Sequence, residues 1–181
     1  MQLIRAGQLA RILMHAALAA SLCANAALAY RSSHPPAAPP LPLSVGQRVP
    51  AVVLENVGRG TEESIDFSGS STGTVLYFFA PDCRRCQENL AAALALQQRV
   101  HQEFRFLPIS VSAARLGEYL TGSQLTWRPL FMPEATRQRY ALSGLPQTIV
   151  IDGSGMVRAN WVGEYKGSLA EKIGAFFSVR S

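Results

Sequence analysis

At 181 residues, with 48% hydrophobic side chains, the chain is long enough to bury one sizeable core, and a single folded domain is expected. Its formal charge is +5, but the basic residues are scattered and form no stripe interleaved with aromatics, which argues against nucleic acid as a partner. Lysine occurs only at Lys166 and Lys172, a bias of composition rather than a sign of function.

The N-terminus has the layout of an export signal. Arg5 and Arg11 supply a positive first region, residues 12–22 are mostly Ala and Leu, and Ala27-Leu28-Ala29 offers small residues for cleavage before Tyr30. Ala24-Asn25-Ala26 is a second possible cut. Residues 1–29 therefore read as a signal peptide, with an N-terminal membrane anchor as the competing reading. Residues 12–29 lie near the lower length limit for crossing a bilayer, and His15 and Asn25 weaken that segment. Cys23 suggests a lipidated cysteine, but Leu22 stands where a small residue should precede it. Cleavage removes Arg5 and Arg11 and lowers the charge from +5 to +3. Either fate delivers the rest of the chain to a periplasmic or other extracytoplasmic compartment, with or without a tether to the inner membrane, where disulfides form.

Residues 30–43 read as a linker, because the run RSSHPPAAPPLP at 31–42 has five prolines in twelve residues and no apolar period. An extended polyproline-type segment or a disordered mature N-terminus is expected there. From residue 44 to 181 the pattern is a mixed α/β domain. Residues 51–55 and 63–67 are short strands around Gly58 and Gly60, an extra N-terminal hairpin at the periphery. Residues 74–80 (TVLYFFA) are continuously apolar, as in a central strand covered on both faces. Residues 84–102 lack Pro and Gly and predict a helix, with Leu90, Leu94, Gln97 and His101 on one face and Ala93, Leu96 and Val100 beside it. A strand at 104–111, a short helix at 116–120 and a helix at 133–142 with Pro near its start follow. Residues 147–151 and 156–162 flank the turn sequence Asp152-Gly153-Ser154-Gly155 as an antiparallel pair, and a helix at 167–178 closes the domain.

The chemistry concentrates at Cys83 and Cys86, a C-x-x-C placed where the apolar strand gives way to a helix. Without Cys23 these are the remaining cysteines, able to pair with each other or with a partner's thiol. A two-residue gap closes so small a ring that the bond constrains little chain entropy, so redox exchange suits it better than stapling. At a helix N-terminus the Cys83 thiolate would be favoured by the dipole and by unpaired N–H groups, with Arg84 and Arg85 adding positive charge.

The order strand, C-x-x-C, helix, strand, helix, Leu-Pro-strand, hairpin, helix resembles the thioredoxin fold: a central mixed β-sheet flanked by helices. The motifs resemble those of the periplasmic thiol–disulfide oxidoreductases of the cytochrome-c-maturation type (TlpA/ResA-like, redoxin). They are Val45-Gly46 and Pro50 at the start, FFAPDCRRC at the site, Gly144-Leu145-Pro146-Gln147-Thr148 about sixty residues later, and IDGSGMV at the hairpin. The resemblance implies that Cys83 attacks, that Cys86 resolves, and that Pro146 is a cis proline leaving the Leu145 backbone for an extended substrate. Asp82, Arg84 and Arg85 would line the approach. It implies protein thiol or disulfide substrates, a membrane redox partner, a monomer, and no cofactor beyond the cysteine pair.

The chain departs from that pattern at three places. Asp82 replaces the usual Trp before the first cysteine, Arg84-Arg85 replaces a Pro-containing dipeptide, and Asn89 stands where cytochrome-c-type reductants often carry Glu, with Glu88 one place earlier. A lowered thiol pKa makes the disulfide a stronger oxidant, so the arginines favour an oxidase or isomerase direction while the family favours reduction. A binding or chaperone module with a vestigial disulfide is the alternative of another class, and a maturation factor dedicated to one periplasmic enzyme is a third. Structural zinc wants four ligands, and only His34 and His101 are at hand after Cys83 and Cys86. Copper delivery would want a wider cysteine spacing and a late histidine. Ala80 stands where a peroxidatic site would carry Thr or Ser. Trp127 and Trp161 read as core or rim residues rather than a ligand box, Asp152 as a turn former rather than a catalytic acid, Glu55 and Glu88 as surface charges rather than proton acceptors for Cys86, and Arg137 and Arg139 as an exposed helix face.

Overall fold

The computed structural model describes residues 2–33, 43–69, 72–122 and 128–178. They fall into two compact units, one ending at Pro39 and one beginning at Pro40. In the first, helix α1 runs Gln2–Ser33, so Arg31 to Ser33 are helical rather than part of an extended linker; residues 34–42 lie outside the described residues. Its stretch Arg11–Tyr30 has a mean hydropathy of 1.7 and is long and apolar enough to cross a membrane by length and composition. Cys23 is a free, exposed cysteine on this helix.

The second unit is built on a seven-stranded mixed sheet. In chain order its elements are β1 Val52–Asn56, β2 Thr61–Ile65, β3 Gly73–Phe79, α2 Arg84–Val100, β4 Phe104–Ser110, α3 Leu116–Gly122, β5 Leu130–Phe131, α4 Glu134–Tyr140, β6 Gln147–Ile151, β7 Val157–Val162 and α5 Ser168–Ser178. The strands lie in the order β2-β1-β5-β4-β3-β6-β7. The expected hairpin forms as β1 and β2, antiparallel from Val52↔Ile65 to Asn56↔Thr61, at one end of the sheet. β3 pairs parallel with β4 and antiparallel with β6. β5 was not anticipated; its two residues run parallel to β4 and antiparallel to β1, joining the hairpin to the sheet.

β3 explains the two-sided core. Successive strand side chains point to opposite faces, and here Leu76 and Phe78 enter one cluster while Val75, Tyr77 and Phe79 enter two others. The first face is covered by Leu43, Val49, Phe67, Met132 and Tyr140, and the Tyr140 hydroxyl donates to the Pro50 carbonyl at 2.9 Å. On the other face α2 and α5 pack; Phe177 meets Phe104 edge-on at 5.2 Å and Phe176 meets Trp161 at 5.3 Å. Trp161 is thus a packing residue, as expected, whereas Trp127 lies outside the described residues.

The buried line of α2 is the expected row of Ala93, Leu96 and Val100, extended back to Cys86 and Asn89, rather than the row of Leu90 and Leu94. Cys86, Asn89, Ala93, Leu96 and Val100 are buried, Leu90, Leu94 and Gln97 are half-buried, and His101 is exposed. Cys86, in the first turn, is already on this inward line, one turn below the cap at Cys83. At the hairpin, the Asp152 carboxylate accepts from Ser154 N at 2.9 Å, Ser154 Oγ at 2.6 Å and Met156 N at 3.1 Å, and Gly155 has φ +82°. Those bonds fasten the turn. The lead-in segment then laces onto β7: Gly46 N donates to Val157 O, Val157 N to Gln47 O and Val49 N to Gly155 O, each at 2.8 Å. The Asn160 amide also donates to the Leu43 carbonyl at 2.6 Å, which ties Leu43 to the folded unit.

Candidate functional site

β3 ends at Phe79, and the next residues turn the chain sharply into α2. Cys83 N donates to the Ala80 carbonyl at 3.2 Å, and the Gln87 amide ties back to Pro81 O at 2.8 Å. Cys83 caps the helix: its backbone is extended (φ −81°, ψ 107°) and its sulfur accepts from Cys86 N at 3.2 Å. Cys83 and Cys86 are joined as a disulfide, with Cα atoms 5.2 Å apart. Cys86 is 3% exposed and Cys83 half-buried, so one sulfur faces the surface and the other the core. A sulfur in the cap position sits against the helix's orphan N–H groups and positive dipole end, which favour a thiolate on reduction.

Around the pair lie Tyr77, Phe79, Leu116, Tyr119, Phe131 and Leu145. Pro146 is buried and its peptide bond with Leu145 is cis, the isomer implied by the resemblance. The β6 ladder begins at Gln147, so the main chain of half-buried Leu145 lies beyond the sheet. Pro146 O is held by Gly163 N at 2.8 Å. The disulfide and Leu145 therefore share one apolar cluster, with Pro146 next along the chain.

The two arginines of the motif carry ion pairs that the sequence does not show. Asp82 is exposed at the turn. Arg84 donates to Glu88 at 2.9 Å and Arg85 to Glu164 at 3.3 Å. Neither arginine stands as an unopposed cation beside Cys83. Glu88 is also 3.5 Å from Lys166, which pairs in turn with Glu164. Glu88 is thus a surface charge in an ion-pair chain, and Glu55 lies in the β1 ladder opposite Glu62 and Phe131. Arg137 and Arg139 are exposed on α4, as expected. Among the described residues, no three or more His, Cys, Asp or Glu side chains gather as a metal site.

Sequence reasoning missed a buried polar network under the dithiol. Asn89, one turn after Cys86 and 2% exposed, donates to the Tyr77 hydroxyl at 3.3 Å and accepts from the Tyr165 N–H at 2.7 Å. The Tyr165 hydroxyl meets Thr148 Oγ1 at 2.5 Å. Burial pushes the Tyr77 hydroxyl up to about 12, against the opposing effect of Asn89, and raises Tyr165 as well. Both stay neutral across the physiological range. The signal lay in the helix period, since Asn89 falls three residues after Cys86 on the inward line.

The thioredoxin-like domain family matches residues 62–177. No curated protein matches the sequence. Among solved structures, a thiol:disulfide interchange protein of the thioredoxin family from Chlorobium tepidum is similar at 18% identity and a TM-score of 0.58, covering 74% of this chain and 97% of its own. The thioredoxin domain of a thiol-disulfide oxidoreductase from Bacteroides vulgatus is similar at 18% identity and 0.59, covering 75% and 99%. StoA from Bacillus subtilis is similar at 12% identity and 0.56, covering 71% and 99%. At these identities the likeness is one of fold, and with the matched family it places the helix-capping dithiol in a known framework: the chain belongs to the thioredoxin-like domain family.

Proposed function

We propose that this protein is an exported thiol–disulfide oxidoreductase that reduces disulfides of extracytoplasmic proteins, with cytochrome c maturation as the matching pathway type. The observation that carries the reading is the Cys83–Cys86 disulfide at the N-terminus of α2, with one sulfur toward the surface and one in the core. In the reduced protein, the Cys83 thiolate attacks one sulfur of a substrate disulfide. The substrate S–S bond breaks, the departing thiolate takes a proton, and a mixed disulfide remains. Cys86 then gives up its proton and attacks Cys83 Sγ, which re-forms the Cys83–Cys86 bond and releases the second substrate thiol. Two electrons have moved to the substrate, and a dithiol partner at the membrane restores the reduced pair. No cofactor beyond that pair takes part.

Leu145 and Pro146 shape the substrate groove beside the sulfurs, and Asp82, Arg84 and Arg85 line its approach. The ion pairs of Arg84 and Arg85 support the reducing direction, since a neutralised cation does less to stabilise the thiolate. α1 supports export, as a cleaved signal or a tether, and the domain acts as a monomer. A Cys86→Ser variant tests the chemistry: mixed disulfides through Cys83 accumulate if the protein turns over, and none form if it is a binding module. The reduction potential against glutathione tests the direction. A value of about −270 mV means reductant, and one of about −120 mV means oxidant.

A further inference from the structure

Four ion pairs beside the dithiol form one continuous chain: Arg84–Glu88, Glu88–Lys166, Lys166–Glu164 and Glu164–Arg85. Its members differ in exposure. The side chains of Arg84, Arg85 and Lys166 are 90%, 65% and 66% exposed, whereas that of Glu164 is only 16% exposed. Glu164 follows Gly163, whose N–H holds the Pro146 carbonyl, and a Cβ built on Gly163 would sit 3.7 Å from Arg85 Nη2. The carboxylate is therefore fixed by the fold between the Pro146 segment and the second residue of the C-x-x-C interval. Lys166 first, and Arg85 after it, hold its carboxyl below the usual range.

An arginine at the second position of a helix has a long stem and a permanent charge. When the disulfide is reduced and Cys83 ionises, an unpaired guanidinium there would swing toward the sulfur. We propose that Glu164 is a positioning residue that holds and neutralises the Arg85 guanidinium, and so keeps the Cys83 thiol less acidic and the disulfide less oxidising than the Cys-Arg-Arg-Cys sequence alone would make them. This rests on the reading of Cys83 as the attacking thiol. Arg84 is occupied by Glu88 in the same way, Lys166 is shared by Glu88 and Glu164, and the exposed carboxyl of Asp82 lies just before Cys83 in the chain.

Two measurements on the full chain test this: the pH profile of Cys83 alkylation in the reduced protein, and the dithiol–disulfide equilibrium with glutathione. Glu164→Gln lowers the alkylation midpoint and moves the equilibrium about threefold toward the dithiol, the size of one released charge acting through a water-like medium over a few ångströms. Arg85→Gln alone shifts both by less, and in that background Glu164→Gln has no further effect. Glu164→Asp keeps the charge and returns both readings toward wild type. The proposal is overturned if Glu164→Gln leaves both unchanged, if its effect persists without Arg85, or if Glu164→Asp behaves like Glu164→Gln. Neither measurement needs a protein substrate, so a failure to trap mixed disulfides is a separate result bearing on the function alone.

Discussion

Asn89 is the residue on which the floor of the site turns. Its amide bridges β3, through Tyr77, to the segment before α5, through the main chain of Tyr165, at a position 2% exposed. Burying the Tyr165 N–H without an acceptor costs the desolvation of that group. Asn89→Leu, which keeps the branched outline but removes the amide's donor and acceptor, is expected to destabilise the domain by about 1–3 kcal/mol, read as a lower urea midpoint at unchanged slope. In the chain itself, the chemistry of Cys83 and Cys86 was legible because a C-x-x-C has few uses outside redox exchange and metal binding. The inward position of Asn89 follows from the helix period, but its bonding and that of Glu164 were not legible, since each depends on a partner distant in sequence: Asn89 on Tyr165, and Glu164 on Arg85.

At the level of elements, β3 shows why close approach constrains composition. A Cβ on Gly73 would lie 2.6 Å from the Phe104 ring and 3.0 Å from the Ile151 carbonyl, and that ring is itself held against Phe177. Gly73→Ala should therefore cost about 1–3 kcal/mol through overpacking. Gly117→Ala, in α3 with open space around it, is expected to be neutral or to stabilise by up to about 1 kcal/mol. Thermal unfolding of the two variants side by side checks the contrast. The long apolar strand, the Pro- and Gly-free helix and the Asp152 turn could be read along the chain because local composition dictates them. The two residues of β5 could not, since only pairing with β1 and β4 makes them a strand, yet they bring Phe131 to the dithiol cluster. The rotation of α2 was equally hidden, because Cys86 and Asn89 join Ala93, Leu96 and Val100 on its inward face in place of Leu90 and Leu94.

For the whole molecule, the ionisable groups predict a stability plateau with two flanks. Asp152, held by Ser154 and Met156, and Asp66, held by Ser68, titrate below their ordinary value of 3.8 in the folded protein. The unfolded chain therefore binds more protons around and below that pH, and stability falls as the pH drops through the lowered values. On the alkaline side the folded state holds the Tyr77 proton up to about 12 while the unfolded chain releases it near 10, so stability is lost as the pH rises through that window. Denaturation midpoints across pH should show both flanks, and Asp152→Asn should flatten the acid one.

The two margins of the sheet have a consequence of their own. A bare strand edge is a template on which further copies can stack. Here β2 presents Glu62 along one outer margin, with Glu63 paired to Arg105 at 3.3 Å, and the lead-in residues from Gly46 to Val49 cap the beginning of the other at β7. Like charges repel an incoming copy at the first border, and ready-made main-chain bonds occupy part of the second. A protein crowded against its neighbours is thereby guarded from growing into filaments, whichever oxidation state its sulfurs are in.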